Sequence, residues 1–285
     1  MIPSIRQPKW LKALYSGYVA LFFLYLVAPL VVVAVFAFND SLFPSPPWQG
    51  FTLDWFFGTE EPKLGIFHDD AIMESIWISI FVAFWVTLLS VAVGTTNAFL
   101  FEREKFPFKD FFYILMLLPL VIPGIILGIS ILVFTNTVAN WVEATFGFDI
   151  EALRPGLVLV ILGQFSFIAT ITTLIIAARL RKFDRTLEEA ALNLGATPIT
   201  AVFTITIPYL APAIIGAAII SFLMSFENFN TTLMLVGSDA PLTITMFDRL
   251  KEGSTPALNA VSLLLMTSSA VLALIYIAFQ KKAPE

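Results

Sequence analysis

The sequence predicts an all-α membrane protein with six transmembrane helices. Three observations carry that prediction. Of the 285 residues, 58% are hydrophobic and only 13% are charged, whereas soluble domains average about 45–50% apolar and about 25% charged. The excess is gathered into long runs, each longer than the roughly 20 residues a helix needs to cross the hydrocarbon. Basic residues are sorted into alternate connecting segments, as in a multi-pass chain.

The runs lie at about 16–38, 75–101, 110–134, 156–180, 208–236 and 259–280, within a single transmembrane domain expected to cover 1–285. The first is too long for a signal-peptide core and lacks an A-x-A cleavage site, so it is expected to stay as an anchor. The segments before 16, at 102–109, at 179–207 and after 280 hold 12 of the 16 basic residues. These are Arg6, Lys9, Lys12, Arg103, Lys105, Lys109, Arg179, Arg181, Lys182, Arg185, Lys281 and Lys282. Basic segments stay cytoplasmic, so both termini and the 179–207 loop are expected inside. The opposite loops, 39–74, 135–155 and 237–258, hold 13 of the 21 acids, Asp69 and Asp70 among them. Trp48, Trp55, Trp77 and Trp141 are expected to form an aromatic belt at the outer interface.

Several chemistries are excluded. There is no cysteine and only one histidine, His68, in the first outer loop. Neither a Ser/His/Asp set within the membrane nor a His/Cys zinc cluster can be assembled from them. No Gly-Lys dipeptide occurs, so no P-loop is present. Topology accounts for the basic residues, and nucleic-acid binding has no support. Catalysis is not expected in this chain, and neither is a cofactor.

The 179–207 loop is more than a linker. Thr186-x-x-Glu189 reads as a capping box for a short helix from Leu187 to Leu194, and Gly195 suits the left-handed residue that ends it. Thr197-Pro198 then starts a second helix, with Thr as the cap and Pro in the first turn. Ala190 and Ala191 are small enough for close approach, and Leu192 and Leu194 offer apolar anchors. On these residues alone, two readings stand. The hairpin docks on another protein, or it lies flat on the membrane with its alanines there for helix propensity.

The fifth run carries the polar residues. At about 100° per residue, Ser221, Ser225, Asn228 and Thr232 fall within a stripe about 60° wide. Glu227 and Thr231 extend the arc, while Phe222, Phe226, Phe229 and Leu233 cluster on another. An acid in mid-span costs roughly 2.5–3.5 kcal/mol and is functional by default. A solute pathway is one reading. Helix–helix hydrogen bonding, to Asn97 or Gln164, is the other. Pro29, Pro119, Pro123, Pro208 and Pro212 remove backbone bonds within the runs. Of these, Pro208 and Pro212 lie between the hairpin and the polar run and are candidate hinges. Gly124-x3-Gly128 permits close helix approach.

Glu189-Ala190-Ala191-x3-Gly195-x9-Ile205-x-Ile207-Pro208 resembles the signature loop of ABC-importer permease subunits, with isoleucine in place of the usual leucine before the proline. Leu118-Pro119-Leu120-Val121-Ile122-Pro123-Gly124 and Gly253-Ser254-Thr255-Pro256-Ala257-Leu258-Asn259-Ala260 are similar to permeases of the spermidine/putrescine group. The resemblance implies a type I importer permease fold in the bacterial inner membrane. It implies that 181–207 holds a coupling helix between spans four and five, with Glu189, Ala190, Ala191, Leu192 and Gly195 meeting a cytoplasmic ATPase. It implies four partners: a second, different permease, an ATPase dimer that binds ATP and Mg, and a periplasmic solute-binding protein. Polyamine permeases of this kind often carry adjacent acids in the fifth span, whereas this chain has Glu227-Asn228, one carboxylate only. Import of another small organic solute (an opine, an amino-acid derivative or an aminophosphonate) is the alternative within the class. Outside it stand an ion-driven secondary transporter, which calls for internal repeats not evident here, and a membrane scaffold without transport.

Overall fold

The computed structural model describes residues 8–44, 46–253 and 255–280. Arg6, Ser254, Lys281 and Lys282 of the segments above lie outside the described residues. The described chain is helical: α1 (Lys9–Phe36), α2 (Asp54–Phe57), α3 (Asp70–Arg103), α4 (Lys109–Val121), α5 (Gly124–Phe146), α6 (Leu157–Leu180), α7 (Thr186–Asn193), α8 (Pro198–Ala201), α9 (Ile207–Phe226), α10 (Thr232–Leu235), α11 (Leu242–Glu252) and α12 (Pro256–Gln280). A 3₁₀ turn at Glu151–Leu153 and a π turn at Val202–Thr206 complete it. Among the described residues, five stretches are long and apolar enough to cross a membrane: α1, α3, α5, α6 and the continuous Pro198–Phe226. The sixth expected run lies in α12.

The third run is not one helix. α4 ends at Val121, Ile122 is extended (φ −75°, ψ 130°), and Pro123 caps α5. Proline has no N–H to continue the ladder, and it pushes the residue before it out of the helical region. The 13 residues of α4 rise only about 20 Å, short of the roughly 30 Å hydrocarbon. The spanning helix is therefore α5, which runs on to Phe146 rather than stopping near 134.

The chain groups into two compact units. Residues 1–70 and 249–268 form the first. Its α1 has no buried residue. Its loop folds around Asn39, which is fully buried. The Asn39 side chain donates to the Pro47 carbonyl (3.3 Å) and accepts from the Gln49 N–H (2.8 Å). Its carbonyl accepts from the Trp55 indole N–H at 2.9 Å. Trp55 is thereby 1% exposed and belongs to this small core, not to the aromatic belt, whereas Trp48, Trp77 and Trp141 are 48%, 65% and 61% exposed. Asp69, buried, is paired with Arg249 at 2.6 Å. His68 is an exposed loop residue.

Residues 71–248 and 269–285 form the second unit. Its centre is α6, whose twelve buried residues lie on every side of the helix. One apolar cluster joins Ala98, Ile176, Ala177, Leu180, Leu210 and Ala217. A second joins Val82, Val86, Leu159, Val160, Ile168 and Leu235. Small residues permit this closeness. A Cβ on Gly94 would lie 2.7 Å from Thr172 Cγ2, and one on Gly128 would lie 2.9 Å from Met234 Cβ. Such close approach is what drives helix association in lipid.

Candidate functional site

Two sites expected from the sequence, a helical hairpin and a polar stretch, flank the same continuous helix. The hairpin is α7–α8. Its start differs from the expected capping box. Thr186 is already the first helical residue, and the residue before it, Arg185, has helical angles (φ −65°, ψ −21°). The carboxylate of Asp184 accepts the Thr186 N–H at 3.0 Å instead. Hydrogen bonds from the Thr186 backbone and hydroxyl hold the Asp184 carboxyl below its ordinary range. The Glu189 side chain is left exposed rather than folded back on the helix start.

The end of α7 follows the sequence. Gly195 has φ +93°, a region costly for residues with a Cβ. Its N–H bonds the Leu192 carbonyl at 2.9 Å, and the Ala196 N–H bonds the Ala191 carbonyl at 3.0 Å. That pair of bonds is a Schellman motif. Thr197 caps α8 by accepting the Thr200 N–H at 3.2 Å, with Pro198 in the first turn. The sharp bend turns apolar side chains outward: Leu192 is 43%, Leu194 90% and Ile199 72% exposed. Glu189 and Ala190 share the exposed surface, and Ala191 is half-buried.

One acid of the Glu188-Glu189 doublet turns the other way. Arg103 Nη1 at the end of α3 reaches both Glu188 oxygens at 2.8 Å. The Thr206 hydroxyl donates to the same carboxylate. Arg103 itself lies between the rings of Phe99 (4.9 Å) and Phe183 (5.6 Å). Sequence reasoning misses this cluster, because 85 residues separate Arg103 from Glu188 and nothing local marks either one.

From α8 the helix runs through the π turn into α9, passing Pro208 and Pro212 without ending. It begins at Pro198, ten residues before the expected 208, and it stops at Phe226, ten before the expected 236. Glu227 is the C-cap (φ −86°, ψ 0°) and not a mid-helix residue. Residues 228–231 are irregular before α10. The helical stripe through Ser221, Ser225, Asn228 and Thr232 is therefore broken after Ser225. The cause lies in Asn228, Asn230, Thr231 and Thr232, whose short polar side chains compete with the backbone for hydrogen bonds.

Those side chains satisfy the groups that the break frees. Asn228 Oδ1 accepts both the N–H (3.2 Å) and the hydroxyl (3.0 Å) of Thr232. Gln164 of α6 donates to Thr232 Oγ1 at 2.8 Å and accepts from the Ser225 hydroxyl. Thr243 Oγ1 donates to the Asn228 carbonyl at 3.1 Å. Thr231 donates to the Gly124 carbonyl at 3.4 Å, and the Ser221 and Thr172 hydroxyls lie 2.8 Å apart. The structure thus joins Ser225, Asn228 and Thr232 around Gln164, and it pairs Ser221 and Thr231 elsewhere. Glu227 stands apart. It is exposed, and no partner reaches its carboxylate among the described residues.

Known proteins resemble this chain in sequence and in fold. The family model described as "Binding-protein-dependent transport system inner membrane component" matches residues 90–282. The putrescine transport system permease protein PotI of Escherichia coli is 28% identical over 93% of this chain and 88% of its own. The spermidine/putrescine transport system permease protein PotC of the same organism is 24% identical over 92% and 91%. Among solved structures, a bacterial alginate ABC transporter in complex with alginate pentasaccharide-bound periplasmic protein has a chain of the same fold, with TM-score 0.70 and 17% identity over 95% of this chain and 92% of that one. A chain of the MetNI methionine ABC transporter matches 75% of this chain at TM-score 0.55 and 16% identity. With its long apolar helices and a match over most of its length, the chain is a multi-pass inner membrane protein and belongs to the family of binding-protein-dependent transport system inner membrane components.

Proposed function

We propose that this chain is one permease subunit of an ATP-driven importer of polyamines of the spermidine/putrescine class. The observation that carries the reading is the hairpin. Leu192, Leu194 and Ile199 stand exposed beside Glu189 and Ala190, on a bend fixed by the left-handed Gly195. A rigid apolar patch of this kind fits a groove on a soluble partner. In this reading the partner is one of two ATPase subunits, which bind ATP and Mg and carry out the hydrolysis, so the chain is not itself an enzyme. A second, different permease completes the translocation pathway, and a periplasmic binding protein delivers the solute. Both termini and the hairpin are cytoplasmic.

Solute passes the break after α9, where the Glu227 carboxylate faces away from the packed interior. Ser225, Asn228 and Thr232 shape that break, and Ser221 and Thr231 brace it from either side. The carboxylate attracts ammonium groups, and the acidic loops on that side favour cations over anions. Pro208 and Pro212, which cannot donate to the helix ladder, form the hinge between hairpin and break. A second solute reading rests on the single carboxylate of Glu227-Asn228. A smaller or zwitterionic organic solute needs no second acid.

The test is reconstitution with the ATPase, the second permease and the binding protein. Putrescine or spermidine is expected to stimulate ATP hydrolysis, and no response to either would remove the polyamine assignment. Orientation is tested separately, because the chain has no native cysteine. Cysteines at Ser45, which lies outside the described residues, and at Ser238 are expected to react with an impermeant thiol reagent in intact cells. A cysteine at Thr197 is expected not to react.

A further inference from the structure

Among the described residues, two polar contacts link the hairpin to the end of α3, and the one between charged partners is at Glu188. No residue of α7 is buried, so apolar packing holds it only loosely. Glu188 is the exception in its environment: its side chain and that of Arg103 are each 16% exposed. The carboxylate receives Arg103 Nη1 on both oxygens at 2.8 Å and the Thr206 hydroxyl on one of them. Bonds between charged partners are the strong ones. Arg103 is fixed in turn by Phe99 and by the buried Phe183. Nearby, Arg181 pairs with Glu102 at 2.7 Å, and Arg185 donates to the Glu102 carbonyl at 3.2 Å.

Thr206 is the last residue of the π turn and is fully buried. Thr204 spends its hydroxyl on the carbonyl four residues earlier, at 2.7 Å, as threonines in helices commonly do. Thr206 spends its hydroxyl on Glu188 instead. Single π turns are local defects in a helix and recur at functional sites. Pro208, two residues on, lacks the N–H that would stiffen this stretch. One carboxylate therefore joins three elements: the hairpin, the end of α3, and the weak point of the helix that leads to the break.

We propose that Glu188, held by Arg103 and Thr206, is a positioning residue for energy transfer, delivering displacement of the hairpin to the π turn. The proposal rests on the reading that the hairpin docks on an ATPase. A rigid tie at Thr206 converts a push on α7 into a shift of α9 along its length, and without the tie the π turn absorbs the push.

The test uses the reconstituted complex with a reporter, Asn230→Cys, at an exposed position of the break. The rate at which a thiol reagent labels this chain is measured with and without MgATP. Co-purification of the ATPase is scored in parallel. In the parent, MgATP is expected to change the labelling rate. In Glu188→Gln and in Thr206→Val, the ATPase is expected to stay bound while the MgATP-dependent change shrinks about tenfold, the scale of one lost hydrogen bond to a charged group. Thr206→Ser, which keeps the hydroxyl, is expected to behave as the parent. A full MgATP response in both Glu188→Gln and Thr206→Val overturns the proposal and leaves ATPase docking intact. Failure of the parent to bind the ATPase overturns the docking reading, and the proposal falls with it.

Discussion

The hairpin and the break after α9 invert the usual placement of side chains in opposite senses. The hairpin turns leucine and isoleucine outward on a bend. The break turns Ser225, Thr231, Thr232 and Gln164 inward, all of them buried. An outward apolar patch is stable once another surface covers it. An inward polar set is stable when each member finds a partner within the chain, as these do. The hairpin is thus completed by something else, whereas the break is complete in itself except at Glu227. Interaction sites are recognised by what they leave unfinished, and each of the two regions leaves something different.

The largest effect is expected at Gly195. Nothing lies within 4 Å of a Cβ built there, so a substitution acts through the backbone alone, at about 1–2 kcal/mol of strain. Gly195→Val is expected to abolish uptake with normal amounts of protein in the membrane, and so is Glu189→Lys on the same surface. Normal uptake by both variants would show that the hairpin's shape is incidental.

Next in size is Gln164→Leu. It strips partners from Ser225 and Thr232 at once, and each hydrogen bond of this kind in a membrane protein is worth about 0.6–2 kcal/mol. A lower melting temperature in detergent and reduced uptake are expected. ATPase binding is expected to persist, because the hairpin is untouched. An unchanged melting temperature would mean that the break holds itself without α6.

Glu227→Gln comes third. It removes charge and keeps size. Uptake of a polyamine is expected to fall severalfold while basal ATP hydrolysis continues. Equal uptake would move the solute class toward neutral or zwitterionic molecules.

The smallest effect is expected at Asp184. Its carboxyl titrates below the ordinary range in the folded state because Thr186 donates to the charged form. Its contribution is therefore present above the ordinary carboxylate range and is lost as pH falls through the depressed value. Asp184→Asn is expected to leave uptake near normal at neutral pH and to flatten the acid limb of a thermal-stability profile. A large loss at neutral pH would mean that the start of α7 matters as much as its end.

The parts of these regions that sequence reveals are those governed by local chemistry. Gly195 takes its left-handed conformation because it has no Cβ, Thr197 and Pro198 set theirs through their own side chains, and the structure has all three as expected. The capping box fails because Asp184, two residues upstream of Thr186, competes for the same N–H. The break after Phe226 has a signal, the run Asn228-x-Asn230-Thr231-Thr232, but hydropathy conceals it because the flanking residues remain apolar. The same concealment joins α4 to α5 across Pro123. Residue type alone places Trp55 at an interface, and the partner that buries it, Asn39, lies 16 positions away. Glu188 and Arg103 give no local sign at all. Their meeting depends on the return of the chain after three intervening helices.

The polar content of α6 also bears on how the chain enters the bilayer. A segment leaving the insertion machinery meets lipid before its neighbours exist. No residue of α1 is buried. α6 carries Thr172 and Thr173, yet each hydroxyl donates to a carbonyl four residues back in its own helix, at 3.0 and 2.7 Å. Those groups are satisfied from the moment the helix forms. Gln164 has no such internal remedy, and its partners at Ser225 and Thr232 are synthesised some sixty residues later. Until they arrive, Gln164 is a polar side chain of α6 without its final partners.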